Sequence, residues 1–94
     1  MDDKKIYREA LETFGHASQV KKLFEEMAEL QEAICKAVDG RDDTSHVAEE
    51  IADVQIMLGQ MMELFACEAA VILRRRAKLA RLAGRIKKVR AGDD

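Results

Sequence analysis

Apolar residues recur along this chain in steps of three and four, the spacing that lines one face of a helix. Four helices are expected. The first covers about residues 3–13 and stops at Phe14-Gly15, since glycine just past a last turn is the usual C-terminal signal. The second runs from His16 or Ala17 to Val38, with Val20, Leu23, Met27, Leu30, Ile34 and Val38 as its stripe. Asp39-Gly40-Arg41-Asp42-Asp43 reads as a turn, and Thr44 or Ser45 is the expected N-cap of the third helix. That helix carries Val47, Ile51, Val54, Leu58, Met61 and Phe65. The pattern weakens near Ala66-Cys67, and a fourth helix, about Glu68 to Val89, is expected to turn Ile72, Leu79, Leu82, Ile86 and Val89 inward. Connections this short favour antiparallel neighbours. The expected fold is therefore all-α, a four-helix-type bundle of antiparallel helices completed by oligomerisation.

Composition agrees. Proline is absent and aromatics make up 4% of the chain, while strong helix formers dominate. The 94 residues predict one domain over 1–94, small enough that a partner subunit would help its core. The aromatic residues Tyr7, Phe14, Phe24 and Phe65, and Met57, Met61 and Met62, are expected mostly in that core. A separate strip of Ala52, Ile56 and Gly59 on the third helix is a candidate subunit contact, because small residues allow close helix approach. Cys35 and Cys67 lack metal-type spacing and no signal peptide is visible, so reduced thiols and a cytoplasmic location are expected. No apolar run approaches the ~20 residues that span a bilayer, so no membrane partner is expected.

Chemistry enters through a repeat. Glu25-Glu26-Met27-Ala28-Glu29-Leu30-Gln31 returns as Glu49-Glu50-Ile51-Ala52-Asp53-Val54-Gln55. Each copy sets carboxylates at i and i+3, neighbours on one side of a helix. At ~100° per residue, Glu50 lies roughly 60° from the centre of the third helix's apolar stripe, Asp53 roughly 120° and Glu49 roughly 160°. In the second helix Glu26 flanks the stripe, Glu29 lies further round and Glu25 points away. The four acids that two packed helices would gather are thus Glu26, Glu29, Glu50 and Asp53. Like charges that close resist joint ionisation unless a cation joins them. An all-oxygen set suits Mg²⁺, or Mn²⁺, rather than zinc or copper. A di-iron site would need Glu-x-x-His on two helices, and here His46 precedes Glu49 by three instead of following it. Glu25 and Glu49 are expected to be solvated or to support the ligands from behind.

Charge is segregated as well. The formal net charge is −2, yet residues 74–90 hold Arg74, Arg75, Arg76, Lys78, Arg81, Arg85, Lys87, Lys88 and Arg90 with no acid among them. A basic helix near acids loaded with metal suits a polyanion such as a nucleoside triphosphate. Metal held by the acids would neutralise phosphate charge and orient a water, and Lys22, Lys78, Arg81 or Arg85 would reach phosphate oxygens. Phosphoanhydride hydrolysis is the reaction class this predicts. A second class, nucleic-acid binding or regulation through the basic helix, leaves the duplicated acids unexplained.

Glu-Glu-x-x-Glu at 25–29, followed after twenty residues by Glu-x-x-Asp at 50–53, resembles the signature of the MazG-like, all-α nucleoside triphosphate pyrophosphohydrolases. Phe14-Gly15-His16-Ala17-Ser18-Gln19 and Lys78-Leu79-Ala80-Arg81-Leu82-Ala83-Gly84-Arg85-Ile86 also resemble the short, phage-type members, and the similarity spans about residues 6–88. The resemblance implies cleavage of NTPs or dNTPs between the α and β phosphates, giving a monophosphate and pyrophosphate. It implies Mg²⁺ as cofactor, nucleotide-pool sanitation as the role, and assembly as a homodimer or homotetramer. It places catalytic metal ligands at Glu26, Glu29, Glu50 and Asp53, and substrate contacts at Gln19, Lys22, Lys78 and Arg81. Many relatives carry an Asn in the tail, where this chain is rich in Ala, Arg and Gly; the preferred nucleotide does not follow.

Overall fold

The structure is a computed structural model that describes residues 1–41 and 43–92. Four helices follow one another: α1 (Asp3–Phe14), α2 (His16–Val38), α3 (Thr44–Leu64) and α4 (Glu68–Arg90). No strand occurs among the described residues, and the protein is all-α. No helix among them is long and apolar enough to cross a membrane.

Local chemistry sets the boundaries. Asp2 caps α1, its carboxylate accepting the Lys5 backbone N–H at 3.2 Å. Gly15 has φ +90°, a region L side chains rarely adopt, and it alone separates α1 from α2. In the turn between α2 and α3, Asp42 lies outside the described residues. The N-cap of α3 is Asp43 rather than Thr44 or Ser45, its carboxylate accepting the Ser45 backbone N–H at 3.0 Å. An ionised oxygen there also meets the positive end of the helix dipole. Ala66 takes φ +51°, and that turn ends α3 before α4 begins.

Three helices pack together. α2 lies along α3, and α1 packs chiefly on the later part of α3. One ion pair marks that seam, Arg8 Nη1 to Glu63 Oε1 at 2.8 Å, and a second, Lys4 Nζ to Glu68 Oε1 at 2.6 Å, ties α1 to the first residue of α4. In the same seam Tyr7 covers Gly59, whose absent Cβ would stand only 2.4 Å from the ring. Gly59 therefore serves the approach of α1 inside the chain, and does not join Ala52 and Ile56 in a subunit strip.

The core is thin. Leu11, Leu23, Ala33 and Met57 are its buried apolar residues. Each larger side chain contributes roughly 1.5–3 kcal/mol of burial, little for a chain that must order four helices. Much of the expected core lies outside it. Met27, Ile34 and Val38 of α2, Ile51, Leu58 and Phe65 at the end of α3, and Phe14 and Phe24 are all exposed. The helices meet along lines rotated from their apolar stripes. On α2 the buried face centres on Gln19, Leu23, Glu26 and Ala33, roughly 75° from the stripe at ~100° per residue.

α4 departs most from expectation. Its helix packing is on α3, with the Lys4–Glu68 pair tying its first residue to α1, and no residue of it is buried. Ile72, Leu79, Leu82, Ile86 and Val89 are exposed instead of facing inward, because nothing among the described residues covers them. The radius of gyration is 17.0 Å, against about 12 Å for a compact domain of this length. The helix projects as an arm from a three-helix body.

Candidate metal centre

The acid repeat meets across the α2–α3 seam. Glu26, Glu29 and Glu50 each offer a carboxylate oxygen, and these oxygens all lie within 4.8 Å of one another. Oxygens bound to one Mg²⁺ at ~2.1 Å stand at most about 4.2 Å apart, so a small side-chain rotation would seat an ion. Glu29 is exposed, whereas Glu26 and Glu50 are 8% and 7% exposed.

Burial is what separates this cluster from a solvated acidic face. Glu26 and Glu50 each use one oxygen near a basic side chain: Lys22 Nζ is 3.4 Å from Glu26 Oε1, and His46 Nε2 is 3.4 Å from Glu50 Oε1. Both pairs are spaced i,i+4 on their own helices. The second oxygen of each, Oε2, is buried with no hydrogen-bond partner. A buried, unpartnered carboxylate oxygen is costly, and two facing one another add repulsion. A hard divalent cation removes both penalties, so the donor set fits Mg²⁺ or Mn²⁺.

The remaining expected site residues divide. Gln19 is buried on the α2 face that also carries Glu26. Lys22 stands beside Glu26, as its spacing predicts. Asp53 is exposed and lies outside the group of three, one turn beyond Glu50. Lys78, Arg81 and Arg85 lie on the exposed arm, which does not pack on α2, so they are not gathered around the acids within one chain. Glu25 and Glu49 are exposed, as expected.

Two features were not anticipated. His46 as the neighbour of Glu50 was legible in the i,i+4 spacing once its offset from Glu49 was set aside. Gln60 is buried with Oε1 unpartnered and its Nε2 3.7 Å from Met57 Sδ; nothing in the pattern marks it, since it falls off the apolar stripe. Comparison with protein-family models, curated proteins and solved structures returns no match to this chain.

Proposed function

We propose that the chain is a Mg²⁺-dependent nucleoside triphosphate pyrophosphohydrolase, a cytoplasmic enzyme that converts an NTP or dNTP to the monophosphate and pyrophosphate and so removes unwanted nucleotides. One observation carries the reading: two buried carboxylates on facing helices, each with an unpartnered oxygen, beside a third carboxylate within 4.8 Å. The MazG-like spacing of the same residues supports the choice of substrate.

In this proposal Glu26, Glu29 and Glu50 hold the ion, which supplies Lewis-acid neutralisation of the triphosphate. Lys22 turns from Glu26 toward a phosphate oxygen, a short swing for a four-carbon stem that is half exposed. Asp53, one turn beyond Glu50 and open to solvent, orients the attacking water and takes its proton. The water oxygen bonds to one phosphorus of the α–β bridge as the bridging P–O bond breaks, leaving nucleoside monophosphate and pyrophosphate. Gln19 offers an amide to the substrate at the start of α2.

The test is pyrophosphate release from a panel of canonical and modified NTPs and dNTPs with Mg²⁺. Turnover of at least one member, lost in Glu50→Gln, is the expected result. Background rates across the whole panel from folded protein would sink the proposal.

One observation favours a second reading. The nine Lys and Arg of residues 74–90 all stand on an exposed helix, which suits a nucleic-acid backbone. An oligonucleotide shift with steep salt dependence, unaffected by Glu50→Gln, would select it.

A further inference from the structure

The acid repeat is longer than its acids. Lys22-Leu23-Phe24-Glu25-Glu26-Met27-Ala28-Glu29 aligns with His46-Val47-Ala48-Glu49-Glu50-Ile51-Ala52-Asp53, so a basic residue stands four before the buried carboxylate in both copies. The geometry repeats with the sequence. Lys22 Nζ and His46 Nε2 each lie 3.4 Å from the Oε1 of their glutamate. Each carboxylate thus has one oxygen engaged from its own helix, and the other, Oε2, buried without a partner. Both glutamates are more than nine-tenths buried, at 8% and 7% exposed.

The two basic residues differ in what they can do there. Lysine carries a compact positive charge on a flexible four-carbon stem. An ammonium beside Glu26 repels a divalent cation at the same carboxylate, and the stem lets it swing away as the ion arrives. Imidazole hangs from a single methylene and cannot follow such a path. It can also donate through Nε2–H while carrying no net charge. His46 is therefore able to keep its contact with Glu50 Oε1 while the other oxygen serves an ion. At 3.4 Å that contact is looser than an ordinary N–H···O bond of about 2.7–3.2 Å, which leaves it room to tighten.

Ordering a free glutamate side chain opposes ion binding, and a preset orientation removes part of that cost. Partners that hydrogen-bond a ligating carboxylate from behind do this in metal sites generally. On α2 the corresponding contact must break when the lysine turns to a phosphate; on α3 it has no reason to.

We propose that His46 is a positioning residue of the metal centre: its imidazole fixes Glu50 through Oε1, leaves Oε2 for the ion, and stays in place once the ion is bound. The repeat then divides its labour, with Lys22 released to the substrate and His46 retained for the ligand. This inference rests on the reading of the acid cluster as a metal site, and is independent of which nucleotide is cleaved.

Calorimetric titration of Mg²⁺, and of Mn²⁺, into the full chain tests it. His46→Ala should weaken binding about 10- to 100-fold. His46→Gln places an amide N–H at the same helix position, and should bind within about threefold of the unaltered chain. Lys22→Ala should bind the ion as tightly or more tightly, since a repelling charge is gone. With nucleotide, His46→Ala should need more Mg²⁺ for half-maximal pyrophosphate release, whereas Lys22→Ala should raise the KM for the nucleotide. In the unaltered protein the imidazole ¹⁵N resonances of His46 should shift with Mg²⁺ occupancy. Those of His16, the other histidine, ten residues before Glu26, should not.

Unaltered affinity in His46→Ala, beside lost binding in Glu50→Gln, would overturn the role of His46 and leave the metal centre standing. Absence of Mg²⁺ and Mn²⁺ binding by the unaltered chain would overturn both. Failure of His46→Gln to restore affinity would also overturn positioning, since the imidazole would then act in some way that an amide donor cannot replace. If circular dichroism shows that His46→Ala has lost helix, the His46 resonances of the unaltered protein decide alone, and their silence through the titration would overturn the proposal.

Discussion

The molecule carries two concentrations of charge, and they are handled oppositely. At the α2–α3 seam, Glu26 and Glu50 are buried with unpartnered oxygens. On α4, nine Lys and Arg stand in solvent on a helix with no buried residue. Burial costs free energy, so charge kept inside a seam signals a ligand that repays it. Charge left in water costs little and by itself signals nothing. The arm becomes informative only because its apolar side is also bare, and because the body carries the opposite formal charge. In the proposed function the acids hold a small hard cation, a different kind of site from the bare face of the arm.

Five measurements separate these two kinds of site. The largest effect is expected for Glu50→Gln, which removes a buried ligand: pyrophosphate release should fall about 100-fold or more, while helicity is kept. A variant that turns over normally would mean the seam is structural. Next, Mg²⁺ at about 100 times its Kd should stabilise the folded chain by ~2.7 kcal/mol, a rise in Tm of roughly 10 °C or more for a domain of this size. Chelation should abolish the rise, and Glu50→Gln should not show it.

Packing within the body is tested by Gly59→Ala. Alanine favours a helix by about 1 kcal/mol over glycine, yet its Cβ would sit 2.4 Å from the Tyr7 ring and push α1 away. Overpacking typically costs 1–3 kcal/mol, so a net loss of about 1 kcal/mol in urea denaturation is expected. Adding Tyr7→Ala should convert the cost of the glycine change into a gain, and a single variant that is already more stable would show that α1 moves freely. Asp53→Asn should weaken Mg²⁺ binding less than Glu50→Gln does, by less than about tenfold, because Asp53 lies outside the group of three, while pyrophosphate release still falls with the loss of the proposed base. Equal losses would place it among the ligands.

The smallest effect concerns the root of the arm. The Glu68 carboxylate, by hydrogen bond and by charge, raises the Lys4 ammonium above its ordinary value of 10.5. A raised amine contributes stability that is complete below its unfolded-state value and is lost as pH climbs through the folded one. The tie between α1 and α4 should thus loosen above about pH 10.5, seen as faster amide exchange at the start of α4. Glu68→Gln should show that faster exchange already at neutral pH, with no further step in the alkaline range.

Much of the secondary structure was legible. α2 begins at His16 and ends at Val38, and α4 begins at Glu68, as Gly15, the turn residues and the fading period near Ala66-Cys67 predict. Local signals suffice there, because caps and glycine act over a few residues. The repeat also predicted the meeting of Glu26, Glu29 and Glu50, although it gathered Asp53 with them. The N-cap was misplaced by one residue, Asp43 competing successfully with Thr44 through its charge.

Period alone says which residues share a face, not what that face meets. Whether Leu79 and Ile86 lie inside or outside depends on a neighbour, and in one chain α4 has none on that side. The rotation of α2 and α3 away from their apolar stripes, the exclusion of Asp53, and the closure of Gly59 by Tyr7 depend likewise on contacts between residues distant in sequence. The linear order of side chains sets helix identity and the stock of acids because both act within a turn or two. Packing chose which acids lost their water, because burial is a property of two surfaces and no single helix encodes its partner's.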